Sequence, residues 1–127
     1  LAREGIAYAS GLEVIAPFDS RLRGHIDALS RDDDLIEIKS VNTKKFEIVT
    51  KSRNSLRKHF IQVQLYMHYG GWKQAFVIYR NRETYEHIVV RVPYLYIQAE
   101  QFERKAQKML SFIDRHELRP CECGRCK

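Results

Sequence analysis

Two carboxylates and a lysine stand at spacings that suit chemistry on a phosphate group. Glu37 and Lys39 are two positions apart in an apolar segment, and Asp27 lies ten positions before Glu37. Side chains at positions i and i+2 of a strand share one face, roughly 7 Å apart, so Glu37 and Lys39 are expected to project together. Asp27 joins them if the hairpin register places it alongside Glu37. Ile36 and Ile38 are then expected to fill the opposite, buried face.

These groups are suited to holding a small divalent cation. Two carboxylates and a main-chain carbonyl are hard oxygen ligands of the kind that Mg²⁺ and Mn²⁺ prefer. Such an ion would neutralise charge on phosphorus and make water easier to deprotonate, while Lys39 positions the water or stabilises the transition state. That is the chemistry of phosphodiester hydrolysis. The alternative from the residues alone is that Asp27, Glu37 and Lys39 form ordinary cross-strand ion pairs on a solvated sheet face.

The helix expected after these strands carries an apolar and a polar stripe. Its apolar periodicity runs from Leu56 to Tyr69, and Gly70-Gly71 ends it. If the apolar stripe packs on the sheet, the polar stripe swings toward the end of the central strand. The alternative is that Gln and Tyr line the helix edge without a role and that His59 is a surface residue. The apolar stripe consists of Leu56, Phe60, Val63 and Met67, and the polar stripe of His59, Gln62, Tyr66 and Tyr69.

Three short motifs therefore follow one another along the chain. Gly24-His25-Ile26-Asp27 precedes Glu37-Ile38-Lys39, and Gln62-Val63-Gln64-Leu65-Tyr66 lies on the helix. Their order resembles the G-x-x-D strand, E-x-K strand and Q-x-x-x-Y helix of the PD-(D/E)XK nuclease superfamily. The series is most similar to the RecB-type branch, which includes CRISPR-associated adaptation nucleases and related phage exonucleases. The resemblance covers residues 12 to 80, and the ordered set is fairly specific.

The resemblance implies a restriction-endonuclease-like core that hydrolyses DNA with Mg²⁺ or Mn²⁺. Ile26 stands where the superfamily has its proline, which is a tolerated variation. The family usually supplies a further metal-binding Glu or His from a helix before the sheet, and Glu4 and Glu13 are poorly placed for that role. Either that residue lies on a missing upstream segment, or the site is incomplete. The roles implied are metal binding by Asp27, Glu37 and the carbonyl of Ile38, catalysis by Lys39, and site orientation or DNA contact by Gln62 and Tyr66.

The elements that must position these residues alternate along the chain. Strands are expected over 12–18, 22–29 and 35–41 as an antiparallel meander, and over 74–79 and 86–92. Helices are expected over 56–69 and from about Gln98 to Arg115, the second burying Phe102, Ala106, Met109, Leu110 and Ile113. The sum is an α/β or α+β domain over residues 1–127, with a central mixed sheet of about five strands flanked by helices.

The formal charge of +6 is concentrated in one segment. Residues 39–58 carry the whole excess, and the rest of the chain sums to zero. A basic segment of this kind is typical of proteins that track a nucleic-acid backbone, so DNA is the expected partner. The alternative is a solvated lysine-rich loop. The candidate DNA-binding residues are Lys44, Lys45, Lys51, Arg53, Arg57 and Lys58.

Length and composition set the class of protein. The chain has 127 residues, of which 44% are hydrophobic and 30% are charged, as expected for one globular domain and not for a disordered chain. No apolar run approaches the roughly 20 residues that cross a bilayer, and no signal peptide opens the sequence. We therefore expect a cytoplasmic protein that does not contact membranes.

A cysteine-rich tail over 117–127 closes the chain. Cys121, Cys123 and Cys126 lie within six residues, which favours metal over disulfides in an intracellular protein. The Cys123-x-x-Cys126 spacing also resembles that of RecB-type nucleases with a four-iron, four-sulfur cluster. Zinc with His116 as fourth ligand, or an unligated tail, are the alternatives.

The leading hypothesis is a divalent-metal-dependent DNA nuclease, with exonuclease action expected. A nucleic-acid-binding module that keeps the nuclease fold without turnover is the main rival. An interaction domain organised by the cysteine metal site is the third possibility from the sequence.

Overall fold

The computed structural model describes residues 7–10 and 13–116, which form two β-sheets and three helices. The α+β class and the central mixed sheet of five strands are confirmed. In chain order the elements are β1 (Ala7–Ser10), β2 (Glu13–Ile15), β3 (Arg23–His25), β4 (Ala28–Ser30), β5 (Leu35–Val41), α1 (Thr43–Ser52), α2 (Arg57–Gly70), β6 (Gln74–Asn81), β7 (His87–Pro93) and α3 (Tyr96–Arg115).

The five-stranded sheet has the order β1-β4-β5-β6-β7. Strands β5 and β6 are parallel, and the other neighbours are antiparallel. A parallel pair needs a crossover connection, and α1 and α2 provide it. Strand β5 therefore lies at the centre of the sheet.

The main core lies between this sheet and the crossover helices. Leu35 of β5 and Val77 of β6 meet Val63 and Met67 of α2 in one buried cluster. This face also carries Glu37 and Lys39. The prediction that Ile38 is buried on the opposite face is wrong, since 46% of Ile38 is exposed, because the three described helices all pack on the Glu37 side.

The basic segment predicted as a loop contains a helix, α1. The Asn42 side chain accepts a hydrogen bond from the Lys45 N–H at 2.9 Å and caps the first turn. Phe46 and Val49, three positions apart, are buried against the sheet. Arg53 then adopts a left-handed conformation with φ of 56° and ends the helix. The packing of Phe46 and Val49 against the sheet therefore keeps this charged segment helical.

The strand predicted over 22–29 is broken in two, which corrects the expected meander. Strand β3 pairs with β2 in a separate two-stranded sheet, whereas β4 pairs with β1 and β5. Ile26 and Asp27 lie in the break, so Asp27 follows a strand end and is not in mid-strand. Arg21 fixes the β2–β3 hairpin by bridging Asp19 at 2.6 Å and Asp114 of α3 at 3.0 Å.

Helix α3 packs on α2 through its amino-terminal half. The rings of Phe60 and Phe102 meet edge to face, with 6.1 Å between centroids, and Ala99 is fully buried. The predicted burial of Met109 is wrong, since 65% of it is exposed, because the carboxyl-terminal half of α3 extends past its neighbour. None of the helices in the described part of the chain has the length and apolarity needed to cross a membrane.

Candidate active site

Asp27 lies in the break between β3 and β4, beside β5. There its side chain makes the hydrogen bond to β5 that the backbone of a neighbouring strand would otherwise make. Its carboxylate Oδ2 accepts the Ile38 N–H at 2.7 Å, and its own N–H donates to Oε1 of Glu37 at 3.2 Å. Pairing of β4 with β5 ends just before, at Ala28 and Ile36. The Asp27 side chain thus continues the hydrogen bonding along β5 beyond the end of β4. These bonds hold the carboxylates of Asp27 and Glu37 beside each other.

Glu37 is a carboxylate in the interior of the protein, with 2% of its surface exposed. Its pKa is raised, first because burial disfavours the charged form and second because the Asp27 carboxylate repels it. The hydrogen bond from the Asp27 N–H and the charge of Lys39 act in the opposite direction without cancelling the rise. Glu37 is therefore held in a place where its negative charge is only partly compensated.

Lys39 connects this carboxylate to helix α2. Its Nζ lies 3.5 Å from Oε2 of Glu37 and donates a 2.7 Å hydrogen bond to Oε1 of Gln62. The Nε2 of Gln62 donates in turn to Oη of Tyr66 at 3.2 Å. Strand period on β5 and the four-residue period of α2 bring these side chains together. We call the five residues Asp27, Glu37, Lys39, Gln62 and Tyr66 the site cluster.

Gly24 makes room for the last member of the site cluster. A Cβ atom at position 24 would lie 2.3 Å from the Tyr66 hydroxyl and 3.0 Å from the ring. Burial raises the pKa of Tyr66, and Glu37 and Asp27 add to the rise against the hydrogen bond from Gln62. The tyrosine therefore keeps its proton at neutral pH, close to both carboxylates.

The donor set fits a small divalent cation. In an extended strand the N–H and C=O of one residue point to the same edge, so the Ile38 carbonyl lies on the edge where its N–H meets Asp27. Together with Asp27 and Glu37 it supplies hard oxygen ligands. A doubly charged cation would also offset the repulsion that raises the pKa of Glu37.

Other proposed metal ligands do not join this set. Across residues 7–10 and 13–116, no three His, Cys, Asp or Glu side chains form a metal-binding group. Glu13 is paired with Arg23 at 3.5 Å and with His25 at 3.2 Å within the β2–β3 hairpin. Glu4 and the tail over 117–127 with Cys121, Cys123 and Cys126 lie outside the described residues, so the iron–sulfur or zinc site stays a prediction.

The basic residues divide into two groups along α1 and α2. Lys45 and Lys58 act electrostatically on His59 together with Lys39, so they lie near the site cluster. Lys51 and Arg53 are at the far end of α1, roughly two turns from Lys45. All six candidates are exposed: Lys44, Lys45, Lys51, Arg53, Arg57 and Lys58. Arg57 also stacks over Phe102, 5.4 Å from the ring centre.

Sequence reasoning missed the setting of His59. Only 8% of this residue is exposed, whereas its place in the polar stripe was also compatible with a position on the surface. Its Nδ1 lies 2.7 Å from Oη of Tyr79 on β6. The usable signal was its spacing, since His59 precedes Gln62 by one turn of the same helix face.

Comparison with known proteins yields structural neighbours alone. No protein-family model matches the sequence, and neither does a curated protein. A crystal structure of LHK-Exo, an alkaline exonuclease from Laribacter hongkongensis, superposes with a TM-score of 0.75 at 17% identity over 85% of this chain and 57% of that chain. LHK-Exo in complex with dAMP gives 0.77 at 18% identity over 91% and 63%. The chain thus spans 57% to 63% of these neighbours and has their fold.

Proposed function

We propose that the protein is a divalent-metal-dependent deoxyribonuclease that acts as an exonuclease. The observation that carries this proposal is the hydrogen-bonded site cluster, in which two carboxylates, a lysine and a glutamine converge at the middle of β5. The fold shared with an alkaline exonuclease, also crystallised with dAMP, supports DNA as the substrate. The motif order supports the RecB-type branch of the PD-(D/E)XK superfamily as its class.

Each group in the site has a task in the proposed reaction. Mg²⁺ or Mn²⁺ held by Asp27, Glu37 and the Ile38 carbonyl would neutralise the scissile phosphate and ease deprotonation of water. Lys39 presents its ammonium to the same phosphate and orients the attacking water. Gln62 fixes that ammonium by its 2.7 Å hydrogen bond, and Tyr66 anchors Gln62 from the other side.

Exposed lysines and arginines of α1 and α2 would bind the DNA backbone. If they make about four phosphate contacts, the logarithm of the binding constant falls with the logarithm of salt at a slope of about −3 to −4. A flat salt dependence would remove this segment from the mechanism.

Cleavage of end-labelled single- and double-stranded DNA with Mg²⁺ or Mn²⁺ tests the proposal. Lys39→Ala is expected to abolish cleavage, whereas Lys105→Ala, which removes an exposed ammonium on α3, is expected to cleave. Release of mononucleotides from an end identifies exonuclease action, and internal fragments identify an endonuclease. Retained cleavage in Lys39→Ala would contradict the assignment.

A second candidate is a nucleic-acid-binding module that keeps the nuclease fold without turnover. One observation favours it, since the described residues supply two carboxylate side chains to the site and no third His, Cys, Asp or Glu beside them. This candidate predicts DNA binding and no cleavage with any divalent ion in the same assay.

A further inference from the structure

Two parallel contacts join helix α2 to the centre of the sheet. Lys39 and Tyr79 are direct neighbours in the parallel pairing of β5 and β6. Lys39 contacts Gln62 at 2.7 Å, and Tyr79 contacts His59 at 2.7 Å, one helical turn earlier. The first contact belongs to the site cluster. The contact between Tyr79 and His59 has no role in the proposed mechanism. It is nevertheless separated from the Lys39 contact by only one strand spacing, ~4.8 Å.

We infer the position of the hydrogen on His59 from the bonds of the Tyr79 hydroxyl, whose hydrogen has no acceptor other than His59 Nδ1 among the described residues. The hydroxyl oxygen accepts the Leu56 N–H at 2.9 Å. Tyr79 is fully buried and its pKa is raised by that burial, so the hydroxyl keeps its hydrogen. The 2.7 Å contact with Nδ1 is satisfied when this hydrogen is donated to His59. The histidine then carries its own hydrogen on Nε2.

His59 is neutral at physiological pH. Burial, followed by the charges of Lys39, Lys58 and Lys45, lowers its pKa to about 4. Its Nε2–H is therefore an uncharged hydrogen-bond donor in surroundings of positive charge. No carboxylate is among the groups that act on it.

The Nε2 atom of His59 keeps some contact with solvent. Within residues 7–10 and 13–116, this nitrogen makes no hydrogen bond, and Tyr69 Oη is the single side-chain nitrogen or oxygen that is both buried and unpaired. The Nε2–H therefore reaches the surface through the small exposed part of the residue. A donor held in a fixed tautomer and surrounded by lysines has the chemistry of a phosphate site.

We propose that the Nε2–H of His59, with Lys58 and Lys45, binds a backbone phosphate of the DNA strand next to the scissile phosphate at Lys39. This inference rests on the proposed nuclease function and adds a second phosphate position to it. Tyr79 acts as a positioning residue, because its hydroxyl holds the histidine in the donor tautomer.

Two substitutions separate phosphate binding from a structural role of His59. Asn keeps a group near Nδ1 that can bond Tyr79 but loses the Nε2 donor, whereas Gln keeps a donor near Nε2 and loses the Nδ1 contact. Binding of single-stranded DNA by fluorescence anisotropy, without divalent ions, is expected to weaken about tenfold in His59→Asn and far less in His59→Gln. His87→Asn, at the exposed start of β7, is the matched control and is expected to bind like wild type.

The deciding measurement removes one phosphate charge at a time from the DNA. Oligonucleotides with a single methylphosphonate linkage at successive positions are bound to wild type and to His59→Asn. Wild type is expected to lose the most affinity at the linkage next to the scissile one, and His59→Asn is expected to lose about tenfold less there, because its donor to that phosphate is already absent while Lys58 and Lys45 remain. An unchanged profile along the strand in His59→Asn would overturn the proposal.

The salt dependence checks that the donor is neutral. His59→Asn is expected to bind more weakly with an unchanged slope, whereas Lys58→Ala is expected to reduce the slope by about 0.7 on single-stranded DNA. An equal decrease of the salt slope in His59→Asn and Lys58→Ala would overturn the assignment of His59 as a neutral donor. Wild type that binds with this profile but never cleaves would refute the nuclease function and leave the phosphate site standing.

Discussion

Helix α2 carries two polar clusters of similar composition on different faces. One is the site cluster facing β5. The other, which we call the clamp cluster, faces β7 and α3 and consists of Gln64, His68, Tyr94 and Glu103. Gln64 is fully buried; its Nε2 donates to the Pro93 carbonyl at 2.8 Å and its Oε1 accepts the Leu95 N–H at 2.9 Å.

The clamp cluster is closed by its own partners. His68 contacts Oη of Tyr94 through Nδ1 at 2.6 Å and Oε2 of Glu103 through Nε2 at 3.4 Å. The site cluster instead leaves Glu37 with a raised pKa beside Asp27, and the neighbouring His59 with an open Nε2–H. The clamp cluster therefore holds its glutamine and histidine between internal partners, whereas the site cluster holds a buried carboxylate whose charge is only partly compensated.

The largest expected effect is that of Glu37→Gln, which removes the partly compensated charge that distinguishes the site cluster from the clamp cluster. DNA cleavage is expected to fall about 10³-fold, because a charged ligand and its coupling to Lys39 are lost. The free energy of unfolding without divalent ions is expected to rise, because a buried and partly compensated charge is removed. Cleavage assays and urea unfolding measure the two quantities. A destabilised Glu37→Gln would show that the carboxylate is instead part of a satisfied structural network.

The two glutamines of α2 form a matched pair for the next effect. Gln64→Ala leaves the Pro93 carbonyl and the Leu95 N–H unpaired and is expected to cost about 2–4 kcal/mol of stability, with normal cleavage per folded molecule. Gln62→Ala is expected to change stability by less than about 1 kcal/mol and to lower cleavage about 10- to 100-fold, because Lys39 loses its support. Thermal or urea unfolding with a cleavage assay separates them, and equal effects in both variants would erase the distinction.

The next prediction is a smaller effect, the pH dependence of stability that the raised pKa of Glu37 gives to the site cluster. Because the folded-state pKa of Glu37 is raised above its usual 4.5, its contribution to stability is present below that value and is lost as pH rises through the folded pKa. Wild type is therefore expected to lose stability relative to Glu37→Gln over that range, as measured by urea unfolding without divalent ions. Addition of Mg²⁺ or Mn²⁺ should restore stability in wild type alone. Parallel pH profiles for the two proteins would contradict the raised pKa.

The smallest effect concerns the closed cluster. Tyr94→Phe removes the hydroxyl that contacts Nδ1 of His68 and is expected to cost about 1 kcal/mol. DNA affinity and cleavage should not change, because Tyr94 lies between β7 and α3 and contacts His68, which is on a different face of α2 from Gln62 and Tyr66. Any loss of DNA binding in a variant that unfolds like wild type would assign the clamp cluster a part in substrate contact.

Features with local patterns are those that the sequence predicts well. Strands β5, β6 and β7 follow from short apolar runs, and α2 from apolar residues at helical spacing with Gly71 as its left-handed end. The same two periods place Glu37 beside Lys39 on one face of a strand and Gln62 one turn from Tyr66. Local geometry therefore predicts most of the site cluster.

Features that depend on distant partners were not predictable. Helix α1 is charged in sequence, and its burial of Phe46 and Val49 requires the sheet beneath it. The break at Asp27 arises because β3 and β4 belong to different sheets. The burial of His59 requires Tyr79, which lies 20 positions further along the chain. No window of sequence contains both members of such a contact as a recognisable pattern.

The crossover through α1 and α2 has a consequence for folding. Lys39 is 23 positions from Gln62, and His59 is 20 positions from Tyr79, so the first contact forms only when α2 docks on β5 and the second only when β6 also joins the sheet. A nascent or clipped chain can contain both carboxylates and the lysine without an ordered centre. The hydrogen bond from Lys39 to Gln62 is therefore present only in a chain that has completed the crossover.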